Sequence, residues 1–187
     1  MPDYTPADLA YFSANYLTLD ELCADRADSP DEVRRLIAER RLPAPSYVLP
    51  DGTGMFPADY FRLVDEAGGP DGLREHFAAR HREANGKDLD QDWEMYLDGI
   101  WGICLRDVVP ETIVRKNTLV SSLCELLVLA RTREPGWQQA LREQVHELDE
   151  LERQFSPDFD RGDQMDRPPT RDLIIKAARE RYPEVFA

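Results

Sequence analysis

Three groups of residues have types and spacings suited to chemistry. His76 and His81 lie five apart. On a helix that spacing turns them about 140° from each other around the axis, so they cannot close on one metal ion as an i, i+4 pair does. With His146 remote and no Cys-x-x-Cys, they read as exposed or partly packed imidazoles. Asp88, Asp90 and Asp92 repeat the opening of a calcium-binding EF-hand loop, but Trp93 stands where the turn needs glycine and Gly99 where a bidentate glutamate belongs. The triplet therefore reads as an acidic first turn that complements a helix dipole. Asp158, Asp160, Asp163 and Asp166 surround the integrin-type tripeptide Arg161-Gly162-Asp163. They can hold a divalent cation weakly, and a solvated loop accounts for them as well.

Two basic groups remain. Arg34, Arg35, Arg40 and Arg41 are the only concentrated positive charge and the residues available for contacting DNA. Arg106, Arg115 and Lys116 flank the Val108-Val109-Pro110 turn, where they either contact an anion or a partner or pair with the acids that the chain holds in excess. There is no glycine-rich phosphate loop, no Gly-x-Ser-x-Gly elbow and no His-Glu-x-x-His. The sequence therefore assigns no catalytic residue, no metal ligand and no cofactor. Cys23, Cys104 and Cys124, odd in number and set among apolar neighbours, read as reduced core thiols.

The elements that must position these residues are mostly helices. Thr18-Leu19-Asp20-Glu21 is a capping box opening a short helix to about Asp25. Ser29-Pro30-Asp31-Glu32 caps a second helix to about Arg41, with Val33, Leu36 and Ile37 on one face and Pro43 and Pro45 stopping it. Asp51-Gly52 between Ser46–Leu49 and Thr53–Phe56 predicts a β-hairpin. A helix opened by Pro57 ends at Gly68-Gly69. Further helices are expected from Pro70 to a left-handed cap at Asn85-Gly86, from Asp90 with Trp93, Tyr96 and Leu97 inward, and from Trp101 to Leu105. A long core helix from Pro110 to Thr132 should pack against an antiparallel partner starting at Pro135. A polar loop at 156–169 and a helix from Thr170 to Arg181 complete the chain.

The 187 residues suit two small modules, expected at 1–67 and 68–187, and 42% hydrophobic residues are enough for a core. No run approaches a membrane span and the N-terminus lacks a basic-then-apolar leader, so a soluble cytoplasmic protein without a membrane partner is expected. The net charge of −14 opposes non-specific attraction to nucleic acid. Residues 1–67 hold the largest excess, 13 acids against 6 arginines.

The order capped helix, turn, capped helix, Leu-Pro-x-Pro, Asp-Gly hairpin and helix, from Leu17 to Val64, resembles the winged helix-turn-helix of the MerR and excisionase families. The matching stretches are Tyr16–Leu22, Ser29–Ile37 and Arg41-Leu42-Pro43. The resemblance implies a second helix that enters the major groove and a wing that touches the backbone. Here that helix opens with Asp28, Asp31 and Glu32, and the wing tip Leu49–Gly54 has no Lys or Arg. The whole chain also resembles an uncharacterised bacterial family of unknown function, through Leu42–Leu49, Pro57–Phe61, Gly102–Arg106, Pro110–Lys116 and Pro183–Phe186. The expected fold is thus mainly α: a winged helix-turn-helix with one β-hairpin, followed by a helical bundle. The expected function is a regulatory or adaptor protein with a protein partner. The alternatives are a sequence-specific DNA-binding regulator, and an enzyme with a site between the modules. The oligomeric state stays open.

Overall fold

The computed structural model describes residues 3–129, 134–161 and 170–187. The chain is mainly helical, with one small antiparallel sheet. Helix α1 (Pro6–Asn15) starts at a capping box in which Thr5 and Asp8 exchange bonds. The sequence reading has no helix here, although Thr5-Pro6-Ala7-Asp8 carries both the cap and the first-turn proline. Strand β1 (Leu17–Thr18) leads into α2 (Leu19–Cys23), which has the expected Thr18–Glu21 box. Helix α3 (Pro30–Ala38) is capped by Ser29. It stops three residues short of Arg41, because Arg40 turns left-handed at φ 55° and the Arg41 and Leu42 N–H groups both close back onto the Leu36 carbonyl.

The hairpin forms where Asp51-Gly52 places it, with Gly52 at φ 88° and the Thr53 N–H bonded to the Asp51 carboxylate. Its strands, β2 (Tyr47–Val48) and β3 (Gly54–Phe56), are shorter than the flanking apolar runs. The single hairpin expected from sequence is in fact part of a three-stranded sheet in the order β1-β3-β2. Leu17 faces Phe56, and both Thr18 and Tyr47 face Met55. Two residues beside a helix cap are too few for strand alternation to show in β1.

Residues 57–61 form a turn rather than the start of a helix, and α4 (Arg62–Glu66) begins later. Then come α5 (Leu73–Glu83), ending at left-handed Asn85 (φ 61°), α6 (Leu89–Leu97) and α7 (Ile100–Cys104). The long α8 (Pro110–Val128) packs against α9 (Pro135–Leu151). The pairing is antiparallel: Trp137 Nε1 donates to the Leu126 carbonyl near one end, and Arg115 meets Glu147 towards the other. A π-helical stretch (Arg171–Lys176) runs into α10 (Ala177–Arg181), followed by α11 (Pro183–Phe186).

The largest apolar core runs from Leu19, Val33 and Leu36 through Phe56 and Leu63 to Phe77, Trp101 and Ile113, and so continues across residue 67. A second core joins α8 and α9 to the C-terminal helices through Leu119, Leu123, Leu141, Val145, Leu148 and Ala178. A third, aromatic one ties α1 to the sheet: Phe12 lies 4.3 Å from the Tyr47 ring, and Tyr16 meets the same ring edge-on. No helix among the described residues is long and apolar enough to cross a membrane. All three cysteines are free: Cys23 is buried, Cys104 partly buried and Cys124 exposed. Cys124 is exposed because it lies one residue, about 100° around α8, from the inward Leu123.

Candidate functional site

The four N-terminal arginines lie on α3 and in the turn that follows it. Arg34 and Arg35 project from α3, while Arg40 and Arg41 follow its left-handed end. Each is already engaged. Arg34 pairs with Asp31 at 2.6 Å and lies 3.8 Å from Asp20, and Arg35 bridges Glu32 and Glu39 at 2.5 Å each. Arg40 reaches across to α6, to Glu94 at 2.6 Å and Asp98 at 3.0 Å, and Arg41 pairs with Glu39 and Asp71. Four guanidinium groups thus face seven carboxylates within 4.0 Å. The i, i+3 and i, i+4 spacing of Asp31, Glu32 and Glu39 dictates the local pairs. The pairs to α6 depend on the tertiary fold.

Arg106, Arg115 and Lys116 do not act together on a surface. Arg115 clasps Glu147 on α9 through two N–H groups at 2.5 Å. Lys116 is buried, its Nζ 2.9 Å from Oε1 of Glu152, which is fully enclosed. The Thr170 hydroxyl donates to the same Oε1, and Arg106 Nε donates to the Glu152 carbonyl at 3.0 Å. The backbone closes around the pair, as Arg106 N–H bonds to the Leu151 carbonyl and Arg153 N–H to the Cys104 carbonyl. Lys116 is therefore shut off from any outside anion or partner. Burial pushes the Cys104 thiol pKa up, away from the reactive thiolate.

The histidine and aspartate expectations need correction. His81 is neither exposed nor partly packed but completely enclosed, with Nε2 2.8 Å from Asp92 Oδ2. Phe77 stacks along its ring, and Gly86 lies so close that a Cβ there would stand 2.0 Å from the imidazole. Asp88 is the N-cap of α6, accepting from the Gln91 N–H. Asp92 is more than a complement to the dipole: it is buried, accepts from Asn117 Nδ2 at 3.0 Å, and its carbonyl takes the Trp101 indole N–H. His76 stays half-buried beside Glu66. A pattern search in sequence missed the His81–Asp92 pair because it joins two helices; the one local hint was Asn85-Gly86, whose missing side chain makes room for the ring.

The C-terminal aspartates also separate. Asp163, Asp166 and the tripeptide's side chains lie outside the described residues. Asp158 is exposed, but Asp160 is 1% exposed, taking the Tyr47 hydroxyl at 2.6 Å and the Ser156 N–H at 2.7 Å. Burial raises its pKa, and those bonds only partly offset the rise. Asp8, absent from the sequence reading, is its neighbour. Burial alone would raise the Asp8 pKa, but the backbone N–H groups of Phe159, Thr5 and Asp158 outweigh it and hold it down at about 2. Asp8 fastens α1, and Asp160 fastens β2, to the chain after α9. Among the described residues no group of His, Cys, Asp and Glu is placed to hold a metal ion.

The fold and these contacts define a mainly helical protein whose notable polar side chains are either enclosed or mutually paired. Residues 68–183, more than half of the chain, match the model of a family of unknown function, DUF6058, and the chain belongs to that family. No curated protein and no solved structure matches it.

Proposed function

We propose that this chain is a regulatory or adaptor protein in which a winged helix-turn-helix-like module, residues 1–67, serves as a protein-binding surface joined to a helical module, residues 68–187. The observation that carries this reading is the pairing of Arg34, Arg35, Arg40 and Arg41 with carboxylates. A DNA-reading face gains affinity by releasing counterions from phosphates that its cations neutralise. Here each cation would face phosphate with its carboxylate partners still beside it, so little charge is left to neutralise any. The wing points the same way: Leu49–Gly54 has no cation, and Val48 on β2 is 45% exposed. A buried His81–Asp92 pair touches no open surface and lends no support to an enzyme.

The competing reading is a sequence-specific regulator, and one experiment separates the two. Genomic fragments are selected at low salt with the wild type and with Arg34→Ala and Arg35→Ala, and a parallel pull-down uses the same protein. The adaptor reading expects no enriched motif, non-specific affinity no tighter than about 10⁻⁴ M at physiological salt, and a retained protein partner lost on substitution of the wing. One enriched motif lost in both arginine variants overturns it.

A further inference from the structure

Asp160 closes the turn after α9 against the hairpin, and it does so with an incomplete set of partners. The turn begins at buried Ser156, whose Oγ accepts the Asp160 N–H at 3.2 Å while its own N–H reaches Asp160 Oδ2. The Tyr47 hydroxyl of β2 donates to the same Oδ2, so one carboxylate oxygen joins the turn to the sheet. The N–H groups of Asp158 and Phe159 bond to Asp8 of α1 at 3.0 Å each, and the Phe159 ring meets Tyr4 and Tyr47 edge-on. This short turn thus holds α1, the hairpin and the chain after α9 together.

Asp160 Oδ1 takes no part in the bonding. It is enclosed and has no hydrogen-bond partner. No cation balances the charge either. The groups that face Asp160 are the Tyr47 phenol from β2, Asp8, Tyr11 and Tyr4 from α1 and the residues before it, and the Cys104 thiol from α7, all neutral or negative. The turn itself adds Asp158, whose carboxylate takes the Thr5 hydroxyl. Arg153 is the arginine of this neighbourhood, but it lies over the Tyr16 ring and gives its N–H groups to the Asn15, Leu105 and Arg106 carbonyls. Among the described residues no Lys, Arg or His forms an ion pair with Asp160. An enclosed carboxylate oxygen without a donor is costly when charged and much less so when it carries a proton. Burial therefore raises the Asp160 pKa; the Tyr47 and Ser156 bonds offset part of the rise and the Asp8 charge adds to it.

We propose that the 156–160 turn is a proton-controlled latch: with a proton on Asp160 Oδ1 it stays closed on α1 and the hairpin, and with Asp160 ionised it opens more readily, uncovering the aromatic face of Phe12, Tyr16 and Tyr47. The device depends on the fold alone and holds whether or not the hairpin module binds a protein. The folded pKa of Asp160 lies above the ordinary 3.8, so the stability it gives the latch is present below that value and lost as the pH rises through the folded one. Asp8 has the opposite sign, but its window lies lower, between 3.8 and about 2.

The test uses the full chain. The Asp160 carboxyl carbon is followed by NMR from pH 3 to 8, and hydrogen exchange of the Ser156, Phe159 and Asp160 amides, corrected for intrinsic rates, is measured between pH 4 and 8. The Asp160 midpoint is expected above 3.8, and protection should fall by about tenfold per pH unit up to that midpoint and then level off. Asp160→Asn keeps an acceptor for Tyr47 and Ser156 and cannot ionise, so its protection should not change with pH. Tyr47→Phe removes a bond that favours the ionised form and should move the midpoint further up. A midpoint at or below 3.8, protection in the wild type that is constant or rises with pH, or the same fall in Asp160→Asn overturns the proposal. The first two are read on the unsubstituted chain and decide the matter even where a variant fails to fold.

Discussion

Replacing Lys116 by methionine removes one half of an ion pair that has no access to water. Glu152 is fully enclosed, Lys116 is 5% exposed, and their charged atoms stand 2.9 Å apart. A methionine keeps the length of the lysine stem, so little cavity opens. What remains is a carboxylate with the Thr170 hydroxyl on one oxygen and nothing on Oε2. Removing one partner of a buried pair costs about 3 to 5 kcal/mol, mostly the penalty of the stranded charge. At a urea m-value of about 2 kcal/mol/M, a loss near 4 kcal/mol lowers the unfolding midpoint by about 2 M. Urea denaturation at neutral pH, followed by circular dichroism, measures this directly. The double variant Lys116→Met/Glu152→Gln removes the stranded charge while retaining an acceptor for Thr170, and should recover about 2 kcal/mol or more. A single-variant cost below about 1 kcal/mol, or a double variant whose cost is the sum of the two singles, would refute the reasoning.

Leu123 has no exposed surface and sits between α8 and α9, so Leu123→Ala should cost about 2 to 5 kcal/mol through lost burial and residual cavity, read from chemical denaturation; a cost below about 1 kcal/mol would place it outside the core. Asp8 has its folded pKa depressed from 3.8 to about 2. The stability it contributes is therefore present above pH 4 and lost as the pH falls towards 2. The gap in unfolding midpoint between wild type and Asp8→Asn should narrow over that window, and a gap that widens on acidification would contradict the bonding described for Asp8.

Much of this architecture is written in short-range signals. The boxes at Thr18 and Ser29, the Asp51-Gly52 turn and the left-handed Asn85 each depend on a few adjacent residues, and each stands where its residues place it. The α8 and α9 faces were equally legible, because a helix repeats its buried positions every three to four residues. Strand β1 was not legible, since two residues have no period, and its pairing with β3 depends on a segment nearly forty residues away. The chemistry was decided almost wholly by tertiary structure. Lys116 and Arg115 are neighbours in sequence and both cationic, yet one turns inward to Glu152 and the other outward to Glu147. Asp92 and Asp90 share an acidic first turn, yet only Asp92 meets His81. Asp160 looks like any loop aspartate until Tyr47, 113 positions earlier, donates to it. Charge and residue type are properties of the chain, but whether a charge is solvated, paired or enclosed depends on what the fold packs against it, and those neighbours are distant in sequence.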